Sequence, residues 1–211
     1  MSRASSALIL VDGQPDFMPG GKLPVEDGDA IVRPIRELLA DDPFDLYVAT
    51  QDWHPANHVS FASNHDGHEP MDTIELYGHE QVLWPDHCVQ GTPGAELHRD
   101  LPWHLVSVII RKGADPHADS YSGFRNNWTP DGERPPTGLA GYLRERGVET
   151  VTLCGLARDI CVKWTAEDGA REGFGVRYVW DLTRAVDPSK DAQVRDDLQK
   201  AGVEIIDAGR L

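Results

Sequence analysis

Positive charge is scarce in this sequence. Only 20 lysines and arginines stand against 35 aspartates and glutamates, a formal net charge of −15. So acidic a surface repels nucleic acid and anionic membrane, and neither is an expected partner. It says nothing against a small neutral ligand. Cysteine is scarce too. Cys88, Cys154 and Cys161 are odd in number and far apart, which argues against a disulfide framework and suits free thiols in a reducing compartment. Long apolar runs are also missing. The longest near the N-terminus, Ala7 to Val11, is too short for a signal sequence or a membrane span, so a cytoplasmic protein is expected. There are no repeats and no low-complexity tracts. A chain of 211 residues can build one sizeable core but not two comfortable ones, so residues 1–211 are expected to form one domain.

The stretch Val151 to Ala166 organises the rest. Its β-branched run ends at Cys154-Gly155 and reads as a buried strand. Beyond Gly155, the residues Val162, Thr165, Ala166, Gly169 and Ala170 recur at helical spacing as a stripe of small side chains. Cys161 therefore falls in a strand-to-helix turn or in the first helical turn. Free N–H groups and the positive helix end there lower a thiol pKa and can hold an oxyanion. A small buried hydrophobe is the other reading of Cys161, and position alone leaves both open.

The remaining chain alternates strands and helices. Strands are expected at Ser5–Val11, Leu46–Thr50, Leu105–Ile110, Val176–Trp180 and Val203–Ile206. Helices are expected at Asp29–Ala40, at Leu139–Arg146, and from the Asp187-Pro188-Ser189 cap to Lys200. Residues from Asp52 to about Pro93 show little periodicity. Segments of such length are usually functional or disordered, and Trp53, Tyr77, Trp84 and the clustered histidines argue against disorder. The pattern implies a three-layer α/β fold: a doubly wound, mostly parallel six-stranded sheet with helices on both faces. Ligands of such sheets bind beyond the carboxyl ends of the strands. Asp12, Asp52, Lys112 and the Gly155 turn all lie at expected strand ends, so the fold gathers them along one edge.

Two chemistries could arise there. A Cys161 thiolate is a nucleophile for an amide or ester carbonyl, with Asp12 to accept its proton and Lys112 to stabilise the anion. The plainer alternatives are a loop-capping Asp12 and a solvated Lys112. Separately, Asp52-x-His54 places two ligands on one side of an extended strand end. His87 would complete a facial set suited to Zn²⁺, Mn²⁺ or Fe²⁺, with His58 nearby. His65, His68, His79, His98, His104 and His117 read as plain surface.

These residues sit in runs that carry a resemblance. They are Val-Asp-Gly-Gln-Pro-Asp-Phe ending at Phe17, Thr50-Gln-Asp-Trp-His-Pro-Ala-Asn-His-Val-Ser-Phe, Trp84-Pro-Asp-His-Cys-Val-Gln-Gly-Thr-Pro-Gly, Lys112-Gly, Tyr121-Ser-Gly-Phe and Cys154-Gly-Leu-Ala-Arg-Asp-Ile-Cys-Val. Together, across nearly the whole chain, they resemble the nicotinamidase/pyrazinamidase branch of the isochorismatase-like hydrolases. The resemblance implies hydrolysis of nicotinamide to nicotinate and ammonia through a Cys thioester, within pyridine nucleotide salvage, with pyrazinamide a further substrate. It implies a catalytic triad of Asp12, Lys112 and Cys161. The oxyanion would be held by the backbone N–H groups of Ala157 and Cys161, next to a cis Leu156–Ala157 peptide. One divalent ion, Zn²⁺ foremost and Fe²⁺ or Mn²⁺ as alternatives, would sit on Asp52, His54 and His87. His58 matches a position that is a ligand in some members only. Phe17, Trp84 and Tyr121 match residues enclosing the pyridine ring. Assembly into a homo-oligomer is left open.

Two stretches depart from the family pattern. Arg158-Asp159-Ile160 stands where members often have Thr-Asp-Tyr or Thr-Asp-His, and the arginine is expected to reach solvent or a neighbouring subunit. The loop from Gly113 to Tyr121, with Asp115, His117 and Asp119, is expected to be an acidic mouth without a chemical role. A carbamoyl or ureido amidase would not need the metal set, an isochorismatase would lack Cys161, and a silent metal-binding scaffold would not need the triad.

Overall fold

The computed structural model describes residues 5–41 and 43–211. Six strands form the main sheet: β1 (Ser5–Val11) and β2 (Leu46–Asp52), then, beyond a separate hairpin of β3 (Thr73–Leu76) and β4 (His79–Val82), β5 (Val108–Lys112), β6 (Val148–Leu156), β7 (Gly175–Arg184) and β8 (Glu204–Ile206). The sheet order is β5-β2-β1-β6-β7-β8, and every pairing in it is parallel. Parallel strands need crossovers, which the helices α1 (Val32–Ala40), α2 (Leu139–Glu145), α3 (Lys163–Arg171) and α4 (Asp191–Lys200) supply in part.

Period-two alternation along β1 sends Leu8 and Leu10 to one face and Ala7, Ile9 and Val11 to the other. The first face packs on Ile35 and Leu39 of α1. The second packs on Leu139 and Leu143 of α2, Ala166 of α3, and Val194 and Leu198 of α4. Burial of each such side chain stabilises the fold by about 1.5–3 kcal/mol. The expected three-layer, doubly wound architecture is therefore the observed one. No helix among the described residues is long and apolar enough to cross a membrane.

Besides shifts of a few residues at strand ends, three departures from the sequence expectation bear on the site and its surroundings. A 3₁₀ turn at Trp103–Leu105 takes up the start of the expected third strand, which instead runs Val108–Lys112 and carries Lys112 as its last residue. The helix expected from Asp29 opens as a 3₁₀ turn, Gly28–Ile31, before α1. The β3–β4 hairpin lies inside the segment expected to be irregular. Its two-residue turn, Tyr77-Gly78, has both residues at positive φ (53° and 80°), the primed-turn geometry of tight hairpins.

The sheet order reverses between β1 and β6, so a crevice opens at their carboxyl ends. Gly155 lets these two strands approach. Its φ is +117°, and a Cβ there would lie 2.1 Å from the Val11 carbonyl oxygen.

Candidate active site

Four neighbouring strands deliver the floor of this crevice. Asp12 follows β1, Asp52 ends β2, Lys112 ends β5 opposite Asp52 in register, and β6 leads through Ala157 into a π-helical turn, Arg158–Val162, that holds Cys161. Lys112 is 1% exposed. Its Nζ lies 2.9 Å from Asp12 Oδ2 and 2.8 Å from Asp52 Oδ1. The same Nζ donates to the Ser120 carbonyl at 3.0 Å and to Cys161 Sγ at 3.5 Å. Asp12 adopts φ +46°, and Thr50 braces it: the Thr50 hydroxyl donates to Asp12 Oδ1 at 2.6 Å and accepts the Asp12 N–H at 3.1 Å. Asp12 Oδ2 receives no well-directed hydrogen bond, although the ammonium is close. That oxygen keeps a lone pair free for an incoming proton.

Burial works against every charge here, and the pairings decide which groups stay charged. Asp12 and Asp52 outweigh burial at Lys112 and hold its pKa well above the lysine range. Burial dominates at Asp12 and raises its pKa, against the opposing pull of Lys112. Burial also pushes the Cys161 thiol well above its ordinary value; Lys112 opposes this, and Asp12 and Asp52 add to it. The depressed thiol pKa expected from a helix start is thus corrected. Loss of water outweighs the turn's positive end, so Cys161 rests as a thiol and must hand its proton on as it reacts.

Asp52 uses its second oxygen elsewhere. Oδ2 lies 2.9 Å from His54 Nε2 and 3.2 Å from His87 Nε2. The Nδ1 atoms face backbone carbonyls, of Gly113 at 3.0 Å for His54 and of Pro85 at 2.8 Å for His87. Carbonyls accept only, so each Nδ1 carries the proton and each Nε2 presents a lone pair toward the carboxylate. Three electron-rich atoms converge on one point, an arrangement that a proton or a metal cation satisfies. Asp52 accordingly raises the His54 pKa although burial opposes it. The donor set, two imidazoles and one carboxylate all buried within 4.8 Å of one another, fits a divalent metal. Gly113 makes the fit sterically open: a Cβ on it would meet the His54 ring at 2.3 Å. His58 lies behind His54, the rings tilted at 44° with centroids 4.1 Å apart, and bonds Ser60 Oγ at 2.8 Å. It belongs to a second cluster, His54, His58 and Asp119. Burial first, then His54, lowers its pKa to about 4.

Above the floor opens a cavity of about 350 Å³, including solvent at its mouth. Phe17, Asp52, His54, Trp84, His87, Tyr121, Ala157 and Cys161 all line it, with Asp12 and Lys112 just beneath. The Leu156–Ala157 peptide is cis. Of the cysteines, only Cys161 reaches the cavity. Cys154 is packed in β6, where burial pushes its thiol up to about 12, and Cys88 lies in the core, its pKa also raised by burial.

Two expectations about the flanking loops are overturned. Asp119 belongs to no solvent-exposed mouth: it is buried, lines the cavity, accepts from Gln81 Nε2 at 2.7 Å and caps the Ser120 N–H at 2.8 Å. Arg158 reaches inward, not to solvent. It is 8% exposed, bonds Thr183 through Nε and Nη2 and Asp191 through Nη1, and lies over the Trp180 ring at 4.2 Å. Its neighbour Asp159 accepts the backbone N–H groups of Val186 and Asp187 at 2.8 and 2.9 Å. Of the histidines expected at the surface, His79 is half-buried and stacks on Trp128 at 3.9 Å.

Other residues of the site carried no assigned part in the sequence reading. Gln14 grips the Asp52 backbone at both ends, accepting its N–H at 2.6 Å and donating to its carbonyl at 2.8 Å. Thr50, Gln81, Leu23, Ile160 and Val186 complete the surroundings. Thr50 and Gln14 stood inside motif runs and could have been singled out by their place at strand ends. Ile160 stood inside a motif run as well; Leu23, Gln81 and Val186 carry no local signal.

Known proteins are similar to this chain in sequence and fold. Residues 6–209 match the Isochorismatase domain family. A nicotinamidase of Acinetobacter baylyi is 47% identical, over 96% of this chain and 89% of its own length. A solved nicotinamidase/pyrazinamidase of Acinetobacter baumannii superposes with a TM-score of 0.92 at 44% identity, covering 100% of this chain and 99% of its own. A pyrazinamidase of Pyrococcus horikoshii solved in complex with zinc gives 0.77 at 37% identity, over 96% and 99% of the two chains. The chain belongs to the isochorismatase domain family, on its nicotinamidase/pyrazinamidase branch.

Proposed function

We propose that this protein hydrolyses nicotinamide to nicotinate and ammonia, and pyrazinamide by the same route. One observation carries the reading: a buried ammonium, Lys112, touching Asp12, Asp52 and the Cys161 thiol at the floor of an aromatic-walled cavity. The names of the similar proteins support the substrate.

The ring lies between Phe17, Trp84 and Tyr121, with its carboxamide over Cys161. Asp12 Oδ2 takes the thiol proton as the sulfur attacks the carboxamide carbon. Because the resting thiol is protonated, transfer and attack are coupled. The Lys112 ammonium stabilises the sulfur as it loses its proton. Charge moves to the carboxamide oxygen, where the N–H groups of Ala157 and Cys161 hold it. The C–N bond breaks and Asp12 gives its proton to the departing nitrogen, releasing ammonia. Water then attacks the thioester and Asp12 takes its proton. The C–S bond breaks and the proton returns to Cys161. Asp52, His54 and His87 would hold one divalent ion, Zn²⁺ first among candidates, which when bound supplies a Lewis-acid contact for the ring nitrogen. His58 supports His54 from behind. Residues 1–211 act as one domain in this scheme, in a cytoplasmic setting of pyridine nucleotide salvage.

The test is ammonia release from nicotinamide by the metal-loaded protein, with and without a chelator. Turnover that falls on chelation and returns with metal is the expected result. No release from the loaded protein would overturn the substrate, and turnover indifferent to chelation would overturn the metal's part.

A further inference from the structure

Among the residues of the β3–β4 hairpin strands, only Gln81 is buried. Its side chain crosses from the hairpin into the wall of the cavity. The amide nitrogen lies 2.7 Å from the Val82 carbonyl, 2.7 Å from Asp119 Oδ2 and 3.1 Å from the Tyr121 hydroxyl. Three acceptors around one nitrogen fix the amide with its NH₂ inward, its two hydrogens shared among them, and the Tyr121 contact is the longest. The Tyr121 oxygen also accepts the Trp84 indole N–H at 3.1 Å. The Tyr121 hydroxyl therefore sits among the Trp84 indole N–H, the Gln81 amide and the Asp119 carboxylate. Trp84 and Tyr121 meet edge to face, 6.1 Å apart. The polar atoms of both rings are thus committed within the wall, and the two rings turn aromatic surface to the cavity beside Asp119.

We propose that Gln81 is a positioning residue for the substrate ring, acting through the Tyr121 hydroxyl to set the face that Tyr121 and Trp84 present. This rests on the functional reading above. It assigns the hairpin a part in specificity. The wall that Gln81 organises recognises a flat neutral ring by shape and π-surface, and does not distinguish ring carbon from ring nitrogen.

The test is steady-state ammonia release by the full-length, metal-loaded parent and by Gln81→Leu, Tyr121→Phe and the double variant. Loss of the clamp should raise KM for nicotinamide about tenfold, the scale of one net hydrogen bond, with kcat falling far less. KM for pyrazinamide should rise by the same factor. The double variant should lose less than the sum of the two single losses, because both remove the Gln81–Tyr121 bond. An unchanged KM, a loss carried by kcat, or additive losses in the double variant would each overturn the proposal. If Gln81→Leu does not fold, Tyr121→Phe carries the test, and an unchanged KM in it has the same force. A parent protein that releases no ammonia would overturn the functional reading and this inference with it.

Discussion

The floor and the outer wall of the cavity are built on opposite plans. The floor comes from the ends of four adjacent parallel strands, and its charged groups hold one another: Lys112 binds two carboxylates, Thr50 braces that of Asp12, and Gln14 grips the Asp52 backbone. The wall comes from connections between strands. It is aromatic, and its few polar atoms are satisfied side chain to side chain, as among Gln81, Asp119, Trp84 and Tyr121. Strand ends of a packed sheet hold reacting groups closely, while loops can adapt to the shape of a ring. Changes in the floor should therefore strike the chemical step or the fold itself, and changes in the wall should strike capture of the substrate.

The largest expected effect is at the nucleophile. Cys161→Ala should lower kcat by at least about 10³-fold and leave bound metal, read by elemental analysis, intact. Cys88→Ala should stay within about twofold, since that thiol lies outside the cavity. An acyl adduct on Cys88, seen by mass spectrometry after rapid quench, would break the assignment. Next comes Lys112→Met, which leaves two buried carboxylates without their cation. It should lower unfolding free energy by about 3–5 kcal/mol, measured by urea titration, as well as abolish turnover. A stable, inactive Lys112→Met would mean that the floor is less interlocked than its distances imply. On the wall, Trp84→Ala should cut kcat/KM for nicotinamide by about tenfold through KM with the fold retained. An equal loss through kcat would erase the contrast between wall and floor.

The smallest effect lies outside both regions. Glu172 accepts from Arg144 and Arg125, and these bonds lower its pKa below 4.5. Its contribution is complete above that value and is lost as pH falls through the lower, folded-state pKa. Glu172→Gln should cost at most about 1 kcal/mol near neutrality, and the difference from the parent should shrink as the pH of the urea titration falls through the lowered pKa of Glu172.

What could be read from the sequence was whatever leaves a local pattern. The strand ending at Val11, the strand beginning at Leu46 and the turn at Gly155 announce themselves by β-branched runs closed by Asp or Gly, and the parallel sheet then brings their ends together. Asp12, Asp52 and Lys112 were accessible for that reason. The hairpin was not. Its strands are mostly polar and half exposed, and its turn is Tyr77-Gly78, not the Asn-Gly that signals a tight hairpin. Arg158 was misread because its partners Trp180, Thr183 and Asp191 come 22 to 33 residues later. The Cys161 pKa was misread because position in a turn predicts the dipole but not the burial that outweighs it.

The residues just before the nucleophile also set how this region moves. Arg158 and Asp159 tie the turn bearing Cys161 to the segment from Trp180 to Asp191, and Val186, held by Asp159, is itself part of the cavity. The nucleophile and that stretch of wall therefore travel as one body. In hydrogen exchange the amides of Val186 and Asp187, though outside any helix or strand, would open with the sheet and not with the loops.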